Sequence, residues 1–139
     1  MNWLLWALQS AFFAGLTAIL AKIGVTGVNS NLATALRTTV ILLFTWGIAI
    51  ATTRVSAITE LSRRTWVFLI LSGIATGLSW LCYFRAIQLG EVSKVAPVDK
   101  LSVIFVIGLA ALFLNEPLTI KHWIGGGLIA AGAIVLAKN

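Results

Sequence analysis

VSKVAPVDKLSVIFVIGLAALFL, Val92 to Leu114, is mostly apolar but carries Asp99 and Lys100 side by side in its middle. As a helix this stretch is about 34 Å long, enough to cross roughly 30 Å of bilayer hydrocarbon. A charge at the centre of a spanning helix costs roughly 2.5–3.5 kcal/mol. Two in succession therefore mark a pathway, a binding site or an ion pair.

Four further runs of similar length surround it, giving expected spans at Trp3–Ala21, Leu32–Thr52, Trp66–Ile87, Val92–Leu114 and Leu118–Ala137. Backbone polar groups in lipid must be satisfied within the fold, which leaves helices or a closed barrel. Runs this long exclude a barrel, whose strands need only about ten residues of alternating polarity. The expected fold is all-α: an integral membrane bundle of five transmembrane helices in one domain, residues 1–139. The composition agrees, with 60% hydrophobic residues, 14 charged residues in 139 and a mean hydropathy of +1.02. A soluble domain of this size needs more polar surface.

Several function classes fall away. The net charge of +6 forms no basic face, because its residues are scattered among apolar spans, so no nucleic acid partner is expected. Cys82 is the single cysteine and admits no intramolecular disulfide. The start, Met1-Asn2-Trp3, has no basic region of the kind that opens a signal peptide, so none is expected. The chain shows no metal-ligand cluster, phosphate loop or nucleophile with a base. Asp99 is the only deep acid, so neither an enzyme nor a cofactor or metal is expected.

Five spans put the termini on opposite faces. One face holds Arg54, Arg63, Arg64 and Lys121; the other holds Lys22, Lys94 and Lys138, with Arg37 and Arg85 about one turn inside. Orientation follows Lys/Arg excess in short loops, and so weak a bias permits insertion both ways. Trp3, Trp6, Trp66 and Trp123 suggest an aromatic belt on the N-terminal side. The longest connection, Thr53–Thr65, carries Arg54, Glu60, Arg63 and Arg64 and is expected along the membrane surface.

Helical spacing draws two polar stripes. Thr34, Arg37, Thr38, Thr45 and Thr52 share a face of the second span; Ser72, Thr76, Ser79 and Tyr83 share one of the third. Such stripes serve helix packing or line a cavity. Gln9, Trp80 and Tyr83 are further candidates for lining. Antiparallel connectivity places Lys22, Arg37, Arg85, Asp99 and Lys100 in one half of the bilayer. Asp99 and Lys100 diverge by about 100° on a helix, so Asp99 is expected to face a cation of another span, Arg37 first, then Lys22 or Arg85. Lys22 and Arg85 also fit side chains that snorkel to the interface. Glu91, Lys94, Glu116, Lys121 and His122 fall in loops or at helix ends, where charge costs little.

Pro97 either occupies the first turn of a helix capped by Ser93 or kinks a helix that starts earlier. Either way, irregular backbone lies beside the deepest charges, followed by Ser102. In the last span, Gly126/Ala130 and Gly127/Ala131 are small pairs at i, i+4 spacing that suit close helix contact, within the chain or between copies.

The segments Tyr83-Phe84-Arg85-Ala86-Ile87-Gln88-Leu89-Gly90, Val95-Ala96-Pro97, Leu112-Phe113-Leu114-Asn115-Glu116-Pro117-Leu118-Thr119, Ile124-Gly125 and Ala131-Gly132 occur here in that order. Together they resemble the EamA-like domain of the drug/metabolite transporter superfamily, across the whole chain and best from Trp80 onward. Most relatives carry two such domains, inverted, in ten helices. A single domain is similar to the five-helix bacterial and archaeal group, as is Asp99-Lys100-Leu101-Ser102. The resemblance implies an inner (plasma) membrane, multi-pass transporter working by alternating access on a small organic metabolite or drug-like solute. It also implies one half of an inverted-repeat architecture, rebuilt by an antiparallel homodimer. The four-helix small multidrug resistance proteins are similar in the last helix but use a glutamate in the first, where this chain reads Gln9-Ser10-Ala11-Phe12-Phe13-Ala14-Gly15. On this view Arg37 and Lys100 meet substrate charge and Asp99 is their partner or a proton acceptor. Ser79 and Tyr83 line the path, and Lys22, Thr38, Arg85, Pro97 and Ser102 support it. The alternative is a non-transporting accessory subunit, or a flippase component, paired with another membrane protein.

Overall fold

The structure is a computed structural model that describes residues 2–138. Its long elements are helices α1 (Trp3–Gly24), α2 (Ser30–Thr52), α3 (Arg63–Leu89), α4 (Val92–Asp99), α5 (Ser102–Phe113) and α6 (Ile120–Ala137), with a 3-10 turn at Val55–Glu60. Among the described residues five stretches are long and apolar enough to span a membrane, α4 and α5 together forming one of them. Large apolar side chains point outward along them, for example Leu43, Phe44, Phe105 and Val135, as helices facing lipid require.

The ends follow local chemistry. Asn29 caps α2 with its side-chain oxygen, which accepts from the Asn31 N–H at 2.9 Å and the Leu32 N–H at 3.4 Å, satisfying donors that open every helix. This starts α2 two residues before Leu32. Gly27 just before it has φ +76°, a backbone region glycine enters at no steric cost. Ser62 starts α3 by accepting from the Thr65 N–H at 3.1 Å. Asn115 has φ 54° past the end of α5, and the Glu116 N–H reaches back to the Ala110 carbonyl at 3.3 Å. Asn in this left-handed position followed by Pro117 is a common way to stop a helix. Thr119 and His122 form a capping box at the start of α6, with His122 Nδ1 accepting from the Thr119 N–H at 3.0 Å. That occupies the lone histidine structurally.

The chain divides into two compact units, residues 21–88 and residues 1–20 with 89–139. The core of the first is Val25, Ser30, Thr34, Phe84 and Ile87, all buried. It lies where the last turn of α1, the first of α2 and the last of α3 meet. In the second unit α6 packs on α4 and α5, with Gly126 and Ala133 buried. A methyl group added at Gly126 would lie 3.8 Å from Ile107 Cδ1 and 4.0 Å from Ile104 Cγ1, ordinary contact distances. Gly126→Ala should thus keep the fold and raise stability by up to about 1 kcal/mol, the helix-propensity difference, read as a higher melting midpoint in detergent.

The fourth span is one helix only by length. α4 begins at Val92, behind Glu91, so Pro97 lies inside it and not in a first turn capped by Ser93. Proline has no N–H, so the Ser93 carbonyl lacks its helical donor. Two residues later the winding tightens: the N–H groups of Lys100, Leu101, Val103 and Ile104 donate to Pro97, Val98, Lys100 and Leu101 at 3.0–3.1 Å, each three residues back. This 3-10 seam at Lys100–Leu101 separates α4 from α5.

Candidate functional site

In the unit of residues 21–88, Arg37 stands about 10 Å along α2 from its start, seven residues at 1.5 Å each. Its guanidinium carbon lies 4.6 Å from the centre of the Trp80 ring and 5.3 Å from that of Phe84. Trp80 and Phe84 are four apart on α3 and so share a face. Each ring presents a negative π-face to the cation, a contact worth about 0.5–2 kcal/mol. Arg37 makes no ion pair and no hydrogen bond with another described residue, so its N–H donors are held in place without being consumed. The unit contains six Lys and Arg residues against one carboxylate, Glu60, beyond the far end of α2. The geometry makes Arg37 an oriented cation inside a spanning helix, suited to a carboxylate or phosphate.

Lys22 and Arg85 are built into the end of the same unit. The Lys22 ammonium donates to the Ile87 carbonyl in the last turn of α3, where the helix dipole favours a cation. Gln88 donates through Nε2 to the Val28 carbonyl at 2.7 Å and to that of Val25 at 3.5 Å. Its Oε1 accepts from Arg85 Nη1 at 2.8 Å. Gln88 thus ties α3 to the turn before α2, with Arg85 holding the amide in orientation. No sequence argument singled Gln88 out. Its one signal was a lone amide at the end of an apolar run. Phe84 was missed for the same reason, as one apolar residue among many.

The threonines of the two stripes satisfy their own hydroxyls. Thr34, Thr38, Thr45 and Thr52 on α2, and Thr76 on α3, each donate to the carbonyl four residues back at 2.7–2.9 Å. This is the usual resolution for a threonine in an apolar helix. Ser79 is exposed and Tyr83 half-buried on α3, flanking Trp80.

In the other unit, Lys100 Nζ lies 3.6 Å from Asp99 Oδ2. This corrects the expectation that the two would not pair with each other. The 100° divergence describes how the side chains leave the backbone. A four-carbon lysine stem spans that divergence, and the seam beside it is no longer a regular α-helix. Ser102 opens α5 directly below. Lys94 and Glu91 pair at 3.4 Å one turn apart near the start of α4. On α6 the two small pairs part company. Gly126 is buried against Ile104 and Ile107, and Ala130 is half-buried. Gly127 and Ala131 are exposed, and Gly127 lines a groove of about 340 Å³ between α5 and α6 together with Gly126, Ala130, Trp123 and Gly108. No group of three His, Cys, Asp or Glu capable of holding a metal occurs among the described residues.

Apolar spans, a split span with an ion pair at its seam and an arginine inside a spanning helix make this a multi-pass membrane protein. The chain belongs to the EamA-like transporter family, whose model matches residues 1–138. It is 52% identical over 136 residues to an uncharacterized transporter in the cobO 3' region of Sinorhizobium sp., covering 98% of this chain and 96% of that one. It is also similar to the probable 4-amino-4-deoxy-L-arabinose-phosphoundecaprenol flippase subunit ArnE of Enterobacter sp. (strain 638), 32% identical over 81 residues, 58% of this chain and 76% of that subunit. The subunit of the same name from Pseudomonas aeruginosa (strain UCBPP-PA14) is 32% identical over 77 residues, 55% of this chain and 65% of that one. No solved structure gives a significant match.

Proposed function

We propose that this protein is a secondary transporter of the inner (plasma) membrane that moves a small organic solute bearing an anionic group. It works by alternating access as an antiparallel homodimer. The observation that carries this reading is Arg37, a cation inside α2 held by two aromatic rings with its donors unspent. An isolated arginine there costs free energy unless it has work to do. Arg37 takes the solute's anionic group, Ser79 and Tyr83 line its approach, and Thr38 sits one residue along the same helix. Lys22 and Arg85 act as scaffold. Asp99 and Lys100 exchange their mutual pairing for pairing with the solute or a coupling proton, and Pro97 and Ser102 flank the seam that lets them do so. The Gly127/Ala131 edge of α6 is the seam between copies.

The antiparallel assembly requires both orientations in one membrane. A single cysteine at Ser56→Cys, in a Cys82→Ala background, labelled in intact cells with an impermeant thiol reagent, reads this directly. Labelling of about half the molecules is expected from the weak loop bias; labelling of all or none overturns the antiparallel homodimer. The second outcome favours the other reading, a flippase-type subunit paired with a different membrane protein. The similarity to proteins named as flippase subunits supports that alternative.

A further inference from the structure

The segment joining α2 to α3 has a chemistry that transport does not use. In a 3-10 helix, side chains three apart line up, and Val55, Ile58 and Leu61 follow that spacing. All three line a groove of about 270 Å³ whose other walls are Trp46, Ala49, Thr53, Arg54 and Ala57. The opposite edge reads Ser56, Thr59 and Ser62, with the Thr59 hydroxyl donating to the Ser56 carbonyl at 2.7 Å. The turn is therefore apolar toward the groove and polar away from it.

Its position gives the groove an occupant. Trp46 lies six residues before the end of α2, about 9 Å into the span, and Thr53 lies just past that end. The groove thus runs from acyl-chain depth up to the headgroup level. Arg54 stands on its wall, and Arg63 and Arg64 open α3. Arg64 lies over Phe68, its guanidinium carbon 5.8 Å from the ring centre. Among Arg54, Glu60, Arg63 and Arg64 the balance is three cations to one anion. A zwitterionic lipid would bring its own cation into that excess; an anionic one neutralises it. An apolar slot with Arg54 on its wall, in a connection that also carries Arg63 and Arg64, matches one molecule, with an acyl chain below and a negative phosphodiester above.

We infer that the groove between α2 and the Val55–Glu60 turn, with Arg54 on its wall and Arg63 and Arg64 supplying charge from the start of α3, is a selective site for an anionic phospholipid. It is separate from Arg37, on the other end of α2, and does not rest on transport.

The test is competition on the full-length protein. Reconstitute it in an equimolar mixture of phosphatidylglycerol and phosphatidylcholine with identical acyl chains, extract it gently, and measure the retained lipid by native mass spectrometry. Wild type should retain phosphatidylglycerol at least about fivefold over phosphatidylcholine, the ratio equivalent to roughly 1 kcal/mol, the contribution of a single interfacial cation. Equal retention overturns the proposal with no substitution needed. The triple variant Arg54→Gln, Arg63→Gln and Arg64→Gln should bring the ratio near one, and Ala57→Trp, which fills the groove, should remove the retained lipid while leaving the arginines. If the triple variant keeps the preference, the charge lies elsewhere. If Ala57→Trp keeps the lipid, the groove is not its seat. Elution as a single species on gel filtration checks that each variant is folded.

Discussion

Arg37→Gln should lower solute affinity or transport by about 30- to 1,000-fold, the loss expected when one partner of a desolvated charge pair is removed. It should do so without destabilising the empty protein. The two ring contacts contribute about 0.5–2 kcal/mol each, whereas a charge deep in a span costs roughly 2.5–3.5 kcal/mol. Because these terms are of similar size, the melting midpoint of the apo protein should hold or rise. A residue kept only for structure would behave in the opposite way, losing stability first. Arg37→Lys should recover part of the activity, since it keeps the charge but not the planar fork or the stacking. Trp80→Leu should weaken binding less than Arg37→Gln, because the cation remains but is no longer held. A panel of small carboxylates and phosphates in a thermal-shift assay, followed by flux in proteoliposomes, checks each step. Wild-type flux and affinity in Arg37→Gln would remove this residue from the path.

Asp99 and Lys100 should show the signature of a mutually compensating pair. Asp99→Asn alone, or Lys100→Met alone, leaves an uncompensated charge within the span of α4 and α5. Each single change should lower stability by about 2–4 kcal/mol. The double variant Asp99→Asn/Lys100→Met removes both charges and should return stability to within about 1 kcal/mol of wild type. Replacing such a pair outright is often neutral where breaking it is not. Transport should be lost in all three. Denaturant titration in mixed micelles, beside flux in vesicles, separates the effects. A double variant that is stable and still transports would make the pair structural. Single variants as stable as wild type would mean both charges are hydrated.

The spans were plain in the sequence because they are set by length and hydropathy, which need no knowledge of neighbours. The same holds for the irregular backbone near Pro97. Helix starts drifted by two or three residues where a polar cap pulled the end outward, as Asn29 and Ser62 do. Arg37 is visible in the sequence as an intramembrane charge, but its ring neighbours Trp80 and Phe84 are not, because π-faces do not stand out in a hydropathy profile. Gln88 and the Lys22–Ile87 contact were out of reach because they join residues sixty or more positions apart. Periodicity within one helix carries no information about such pairs. The Asp99–Lys100 pair was lost to an idealisation, a rigid α-helix with side chains treated as spokes.

The seam at Lys100–Leu101 has a mechanical consequence. An α-helix advances about 100° and 1.5 Å per residue, a 3-10 helix about 120° and 2.0 Å. Rewinding those two residues from one form to the other turns everything after them by about 40° and draws it in by about 1 Å. At a radius of about 5 Å, each outward side chain of α5 sweeps about 3–4 Å around the axis. Pro97 has already deleted one rung of the ladder above, so that change meets less resistance on its upper side. The fourth span is geared like a screw thread: a change of pitch in one turn becomes rotation along the whole of Ser102–Phe113, with the Asp99–Lys100 pair at the thread itself.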